Sequence, residues 1–189
     1  LVSDLAWVDE LPSNHPMMED FNRVDNAIGG IFPLELEAVA PDGANRPEAF
    51  GDLLTLHRHL LAEPEVGHVH SFADAVLYTA SEAGYTLDHV VGRRLEPPLL
   101  VRMRFQKIFD HAKFAAAMVA PSPLVDEDSS KYWVHLRLHD RGGRAWAKML
   151  DRVAELDDSK LAHLSVTAKG SVAIVVAGYR HILPDMIRV

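Results

Sequence analysis

Apolar residues along this chain change rhythm several times, and each change marks an element. Leu34, Leu36 and Ala38 alternate with Glu35 and Glu37. A period of two predicts a strand over Leu34–Val39 with one buried and one wet face. After the turn Pro41-Asp42-Gly43, Phe50, Leu53, Leu54, His57, Leu60 and Leu61 make one stripe at helical spacing. A helix is therefore predicted over Pro47–Ala62, with Asn45 as N-cap and Pro47 near its first position. Pro64 ends it, and Val66–Ser71 returns as a short strand. The same order recurs later. Tyr132, Val134, Leu136 and Leu138 alternate with Trp133, His135, Arg137 and His139. Trp146, Leu150 and Val153 then mark a helix over Gly143–Leu156, and Leu161–Lys169 alternates again.

The stretch between the two copies is helical throughout. Phe72–Ala83 is one segment stopped by Gly84, Thr86–Val91 is a short second, and Pro97-Pro98 opens a longer third. In the third, Val101, Phe105, Ile108, Ala112 and Ala115 fall on one side, and Pro121 and Pro123 end it. Ahead of the first strand, Leu1–Val8 reads as extended. Met18, Phe21, Val24 and Ile28 give a helix from Met17 to Ala27, stopped by Gly29-Gly30. The pattern predicts an α+β chain: two βαβ halves, an open sheet with helices on one face, and a helical insert between the halves.

Composition narrows the function. With 189 residues and 48% hydrophobic content the chain can bury a core. A net charge of −8 argues against broad nucleic-acid binding, which needs a dense positive field. The local basic group Arg93, Arg94, Arg102 and Arg104 reads as a solvated helix face. No cysteine is present, so disulfides, thiolate metal sites and a cysteine nucleophile are excluded. No run of 18 apolar residues offers a membrane span. The opening Leu1-Val2-Ser3, without an initiator Met, reads as that of a domain cut from something larger.

Chemistry-bearing residues are present but do not converge. Of eleven histidines, His68 and His70 share a strand face, as do His135 and His139, and such pairs could hold Zn²⁺ or Cu²⁺. His57 and His59 diverge on their helix. The expectation is structural or solvent-facing histidine and no metal. Glu35 and Glu37 lie on a wet face, which does not raise a carboxyl pKa for acid–base work, and Asp157-Asp158 offers no better setting. Ser71, Ser129 and Ser130 lack a nucleophile context, and no nucleotide-binding glycine motif occurs. No catalytic residue and no cofactor is therefore expected. The insert offers the best ligand surface. Met103, Phe105, Phe109 and Phe114 are the candidate substrate-facing residues, beside Ile108 and Met118, with most of this surface expected in the core.

Four stretches together resemble the extracytoplasmic porter domain of RND-superfamily exporters, in the hydrophobe-exporting MmpL/Patched-like branch. They are Asp9-Glu10-Leu11-Pro12 with His15-Pro16; Phe21-Asn22-Arg23-Val24-Asp25 through Ile28-Gly29-Gly30 to Pro33-Leu34-Glu35-Leu36; Leu61–Val69 with Ser71-Phe72-Ala73-Asp74; and Ser165–Gly170 followed by Pro184-Asp185-Met186-Ile187. They cover nearly the whole chain in the family's order. The resemblance implies a ferredoxin-like βαββαβ porter module with a helical insert. It divides the chain into a leading segment after a missing membrane helix (1–30), a first half (31–71), the insert (72–125), a second half (126–170) and a lead-in to a further membrane helix (171–189). It implies a lipid or other hydrophobic small molecule as substrate, a sister porter domain and flanking membrane helices as partners, and room for an oligomer. The setting would be the periplasmic side of the bacterial inner membrane. The family's proton-relay acids lie in membrane helices, so this chain alone would not pump and would not be an enzyme. A free-standing small-molecule-binding or regulatory domain is the alternative. A metal-dependent enzyme built on the histidines is a third class.

Overall fold

The computed structural model describes residues 15–92, 97–119 and 123–187. The expected extended opening, the first acidic Leu-Pro motif and Arg93-Arg94 lie outside the described residues. The elements in chain order are α1 (Pro16–Ile28), β1 (Phe32–Val39), α2 (Pro47–Leu61), β2 (Val66–Ser71), α3 (Phe72–Glu82), α4 (Leu87–Val91), α5 (Pro98–Val119), β3 (Lys131–Leu138), α6 (Gly143–Lys160), β4 (Ser165–Lys169) and α7 (Gly170–Ile187).

The four strands form one open sheet in the order β2-β3-β1-β4, and every neighbouring pair is antiparallel. Register carries the period-two pattern across the sheet. Leu34 lies opposite Leu136, Leu36 opposite Val134, Ala38 opposite Tyr132, and Val69 opposite Leu136 on the other side of β3. All of these are buried. Their neighbours along the strands, Glu35, Glu37, Trp133, His135 and His70, point to the opposite face. The chain is therefore α+β with helices gathered over one apolar sheet face, as the alternation predicts.

That face is covered by α2 through Phe50, Leu53, Leu56 and Leu60, by α6 through Trp146, Met149 and Val153, and by α7 through Val172 and Val176. The insert helices extend the same core. Phe50 of α2 meets Phe105 of α5 at 5.3 Å between ring centroids, Phe105 meets Phe109 at 5.8 Å, Phe109 meets Phe72 of α3 at 5.0 Å, and Phe72 stacks on Tyr132 of β3 at 6.0 Å. Each buried ring contributes about 1.5–3 kcal/mol from area alone, so this relay fastens the insert to the sheet. The Tyr132 hydroxyl donates to the Ala44 carbonyl, and burial pushes its pKa up.

Two polar anchors close the ends. The Asp25 carboxylate accepts from Ile31 N–H at 3.2 Å and from His139 Nδ1–H at 2.7 Å, tying α1 to the end of β3. The approach is too close for side chains. A Cβ on Gly67, in the bulge between Val66 and His68, would sit 2.4 Å from the Gly29 carbonyl oxygen. Gly29 ends α1 in the left-handed region at φ 68°. At the other anchor, Arg152 of α6 donates to Glu63 at 2.9 Å and to Glu65 at 3.0 Å, both nearly buried.

Some boundaries differ from expectation. Arg46 rather than Asn45 precedes α2 and makes no side-chain cap, since a guanidinium carries no acceptor, and Asn45 donates instead to Gln106 of α5 at 3.2 Å. The helix α6 runs to Lys160, beyond Leu156, and β4 starts at Ser165. Asp157 accepts from Val166 N–H at 3.2 Å, which fixes the helix end beside the strand start. Ala116 rather than Ala115 completes the buried stripe of α5.

Candidate functional site

The strand β2 passes into α3 with no intervening residue. Ser71 ends the strand and caps the helix: its Oγ accepts from Ala73 N–H at 3.2 Å, and Asp74 Oδ2 accepts from Ser71 N–H at 3.0 Å. This reciprocal capping box satisfies two donors that a helix start leaves open. His57 of α2 reaches the same junction, with Nδ1 2.8 Å from Ser71 Oγ and Nε2 3.7 Å from Asp74 Oδ1. Burial lowers the His57 pKa, with Asp74 partly opposing it. A serine, a histidine and an aspartate thus meet, but not as a nucleophile. Ser71 has no exposed surface, and its hydroxyl is committed to the cap. The cluster is a clamp holding α2, β2 and α3 together.

Outside this clamp, α3 and the end of α5 enclose a groove of about 350 Å³. Ala75, Tyr78, Ala115, Ala116, Val119 and Leu124 give it a largely apolar lining, and His70, Asp74 and Thr79 stand on it as polar groups. Tyr78 and Val119 are 68% and 84% exposed, so apolar surface spreads over the rim. Burial lowers the His70 pKa, with Asp74 again opposing.

His70 also connects the groove to the uncovered sheet face. Through the strand register, His70, His135, Glu35 and Lys169 form one row across all four strands. His135 Nδ1 lies 3.5 Å from Glu35 Oε1. In the next row, Glu37 receives Lys131 at 2.8 Å and Lys169 at 3.0 Å, and these ammonium groups hold its carboxyl below the usual range. Lys131 also lies 3.2 Å from Asp126, to which Trp133 Nε1–H donates at 2.8 Å. A second hollow of about 340 Å³ sits here, lined by Glu35, Pro123, Asp126, Trp133 and His135.

The residues singled out from sequence divide. Phe105 and Phe109 lie in the aromatic relay, 0% and 1% exposed, and so face the core. Met103 and Phe114 are 64% and 72% exposed on the outer side of α5, with Met118 one turn beyond Phe114. His70 and His135 are brought opposite each other, whereas His139 is drawn away to Asp25. Among the described residues no group of three His, Cys, Asp or Glu is arranged to hold a metal ion. Glu37 is committed to its lysines. Arg102 pairs with Glu48 at 3.6 Å, and Arg104 donates to the His89 carbonyl at 3.0 Å. The groove itself escaped sequence reasoning. Its signal is the small-residue run Ala115-Ala116-Ala117 in an otherwise bulky helix.

No helix of the described residues is long and apolar enough to cross a membrane. Neither a protein-family model nor a curated protein sequence matches the chain.

Proposed function

We propose that this chain is an extracytoplasmic porter domain of a proton-driven RND-type exporter of lipids or other hydrophobic compounds, on the periplasmic side of the inner membrane. Its core would be the ferredoxin-like βαββαβ module, with α3–α5 as the insert. The strand order β2-β3-β1-β4 with all pairs antiparallel, and the insertion between β2 and β3, support that assignment. So does the order of the four sequence stretches. The observation that carries the functional reading is the apolar groove between α3 and α5, which gives the insert a surface for a hydrophobic molecule. The uncovered, charged sheet face would meet the sister domain, where paired charges fix orientation more than affinity.

The test is made in the full-length parent. Phe114→Asp, at an exposed position, should impair export without lowering protein level. A charge there adds desolvation cost to any apolar contact worth about 25 cal/mol per Å². Unchanged export in this, in Met118→Asp and in Val119→Asp, an exposed position on the groove itself, would remove the insert from the transport path. A parent lacking membrane helices around two such domains would sink the exporter reading and leave the free-standing small-molecule-binding domain.

A further inference from the structure

The groove's charge pattern restricts its ligand. Apolar side chains line its length, and among the described lining residues Asp74 is the only acid and no lysine or arginine is present. The Asp74 side chain is 45% exposed at the groove's edge, with Oδ2 serving the helix cap and Oδ1 3.7 Å from His57 Nε2. His70 Nδ1 lies 3.9 Å from that same oxygen, and burial keeps its ring toward the neutral form. The chain's net charge of −8 sets a background of the same sign. A groove of about 350 Å³ lies at the small end of ligand sites, the size for one short chain rather than a multi-chain lipid.

We propose that the α3–α5 groove binds a single-chain amphiphile with a cationic headgroup, its chain between Ala75 and Ala115–Ala116 and its headgroup at Asp74. This deepens the exporter reading by naming a substrate class, and rests on that reading for its biological role. The chain gains by leaving water. The headgroup gains a carboxylate at the groove's wet edge, where an anionic headgroup would meet repulsion.

The test uses this chain and three ten-carbon probes below their micelle concentrations: decyltrimethylammonium, decyl sulfate and uncharged decyl maltoside, titrated by calorimetry. Decyltrimethylammonium should bind about tenfold more tightly than decyl sulfate, as expected when one carboxylate attracts one headgroup and repels the other. Asp74→Asn keeps an acceptor for Ser71 N–H, so the cap survives. It should weaken the cation about three- to fivefold and erase most of the preference. Ala115→Trp, at an exposed position, fills the groove and should weaken the cationic and uncharged probes alike by about tenfold or more, through lost chain contact. Circular dichroism should show both variants folded. Equal binding of the two charged probes, an unchanged preference in Asp74→Asn, or unchanged affinity in Ala115→Trp would overturn the proposal. The exporter reading is judged separately. If the chain binds none of the probes while Phe114→Asp still impairs export in the parent, only the ligand assignment falls.

Discussion

The two faces of the sheet are made by alternate residues of the same strands, yet they follow different physics. On the covered face, Leu34, Leu36, Val134 and Leu136 are shut away from water beneath α2, α6 and α7, in a core of mostly apolar side chains. On the uncovered face, Glu37 pairs with Lys131 and Lys169, and His135 lies beside Glu35. One face supplies the free energy that keeps the chain folded. The other contributes little to stability, and so is available for chemistry or recognition that changes without unfolding the domain.

The sharpest way to break this contrast is a pair of adjacent substitutions in β3. Leu136→Ala should cost roughly 2–5 kcal/mol in urea unfolding, from lost transfer energy plus a cavity. His135→Ala, one residue away, should change stability by less than about 1 kcal/mol. Similar losses at both positions would show that the faces are not energetically distinct. Next in size is Arg152→Ala, which leaves Glu63 and Glu65 without their shared cation. A fully buried pair broken in this way loses about 3–5 kcal/mol. Arg152 is 37% exposed, so water screens part of this and about 2 kcal/mol is expected. Refolding in the double variant Arg152→Ala, Glu63→Gln should recover part of the loss.

A pH titration sharpens the same comparison. Burial holds His57 and His70 below the ordinary histidine value of 6.5 in the folded chain. Between the lowered value and 6.5, the unfolded chain therefore binds protons that the folded chain refuses. Stability should fall as pH drops below about 6.5, by at most about 1.4 kcal/mol per pH unit for His57 and by less for His70, whose side chain is 42% exposed to screening solvent. His57→Gln should flatten that slope in denaturation curves measured between pH 7 and 5, and an unchanged slope would remove His57 as its source. The smallest effect belongs to Glu37→Gln on the wet face. It should cost below about 1 kcal/mol at low salt and fade as salt screens Lys131 and Lys169.

How far the sequence predicted these features depended on the kind of signal. The strict alternation in Tyr132–His139 has one solution on a sheet, so β3 and its buried side were legible to within a residue. The helical stripe of α2 was legible in Phe50, Leu53, Leu54, His57 and Leu60, which are buried, but Leu61 is 57% exposed and Leu56, outside the expected stripe, is buried in its place. The helix α5 was not so clear, since apolar residues stand on both sides of it. Phe105 and Phe109 go inward, Met103 and Phe114 outward, and all four look alike in one dimension. The groove was hidden because it is made of absences of bulk. Ala75, Ala115 and Ala116 leave space only once α3 and α5 are set side by side. The end of α6 was missed because Asp157-Asp158 resembles loop chemistry, although Asp157 takes the Val166 N–H of the next strand.

The zero-length passage from β2 to α3 has a mechanical consequence. With Ser71 serving both elements, and His57 bracing it from α2, α3 has no hinge of its own. It can tilt only by bending a strand that is paired along β3. One wall of the groove is therefore stationary, and any widening has to come from the other wall, α5, pivoting on its aromatic contacts. Spin labels at Tyr78 and Ala117 would report that distance. A change on ligand addition without a matching change between α3 and β3 would assign the motion to α5.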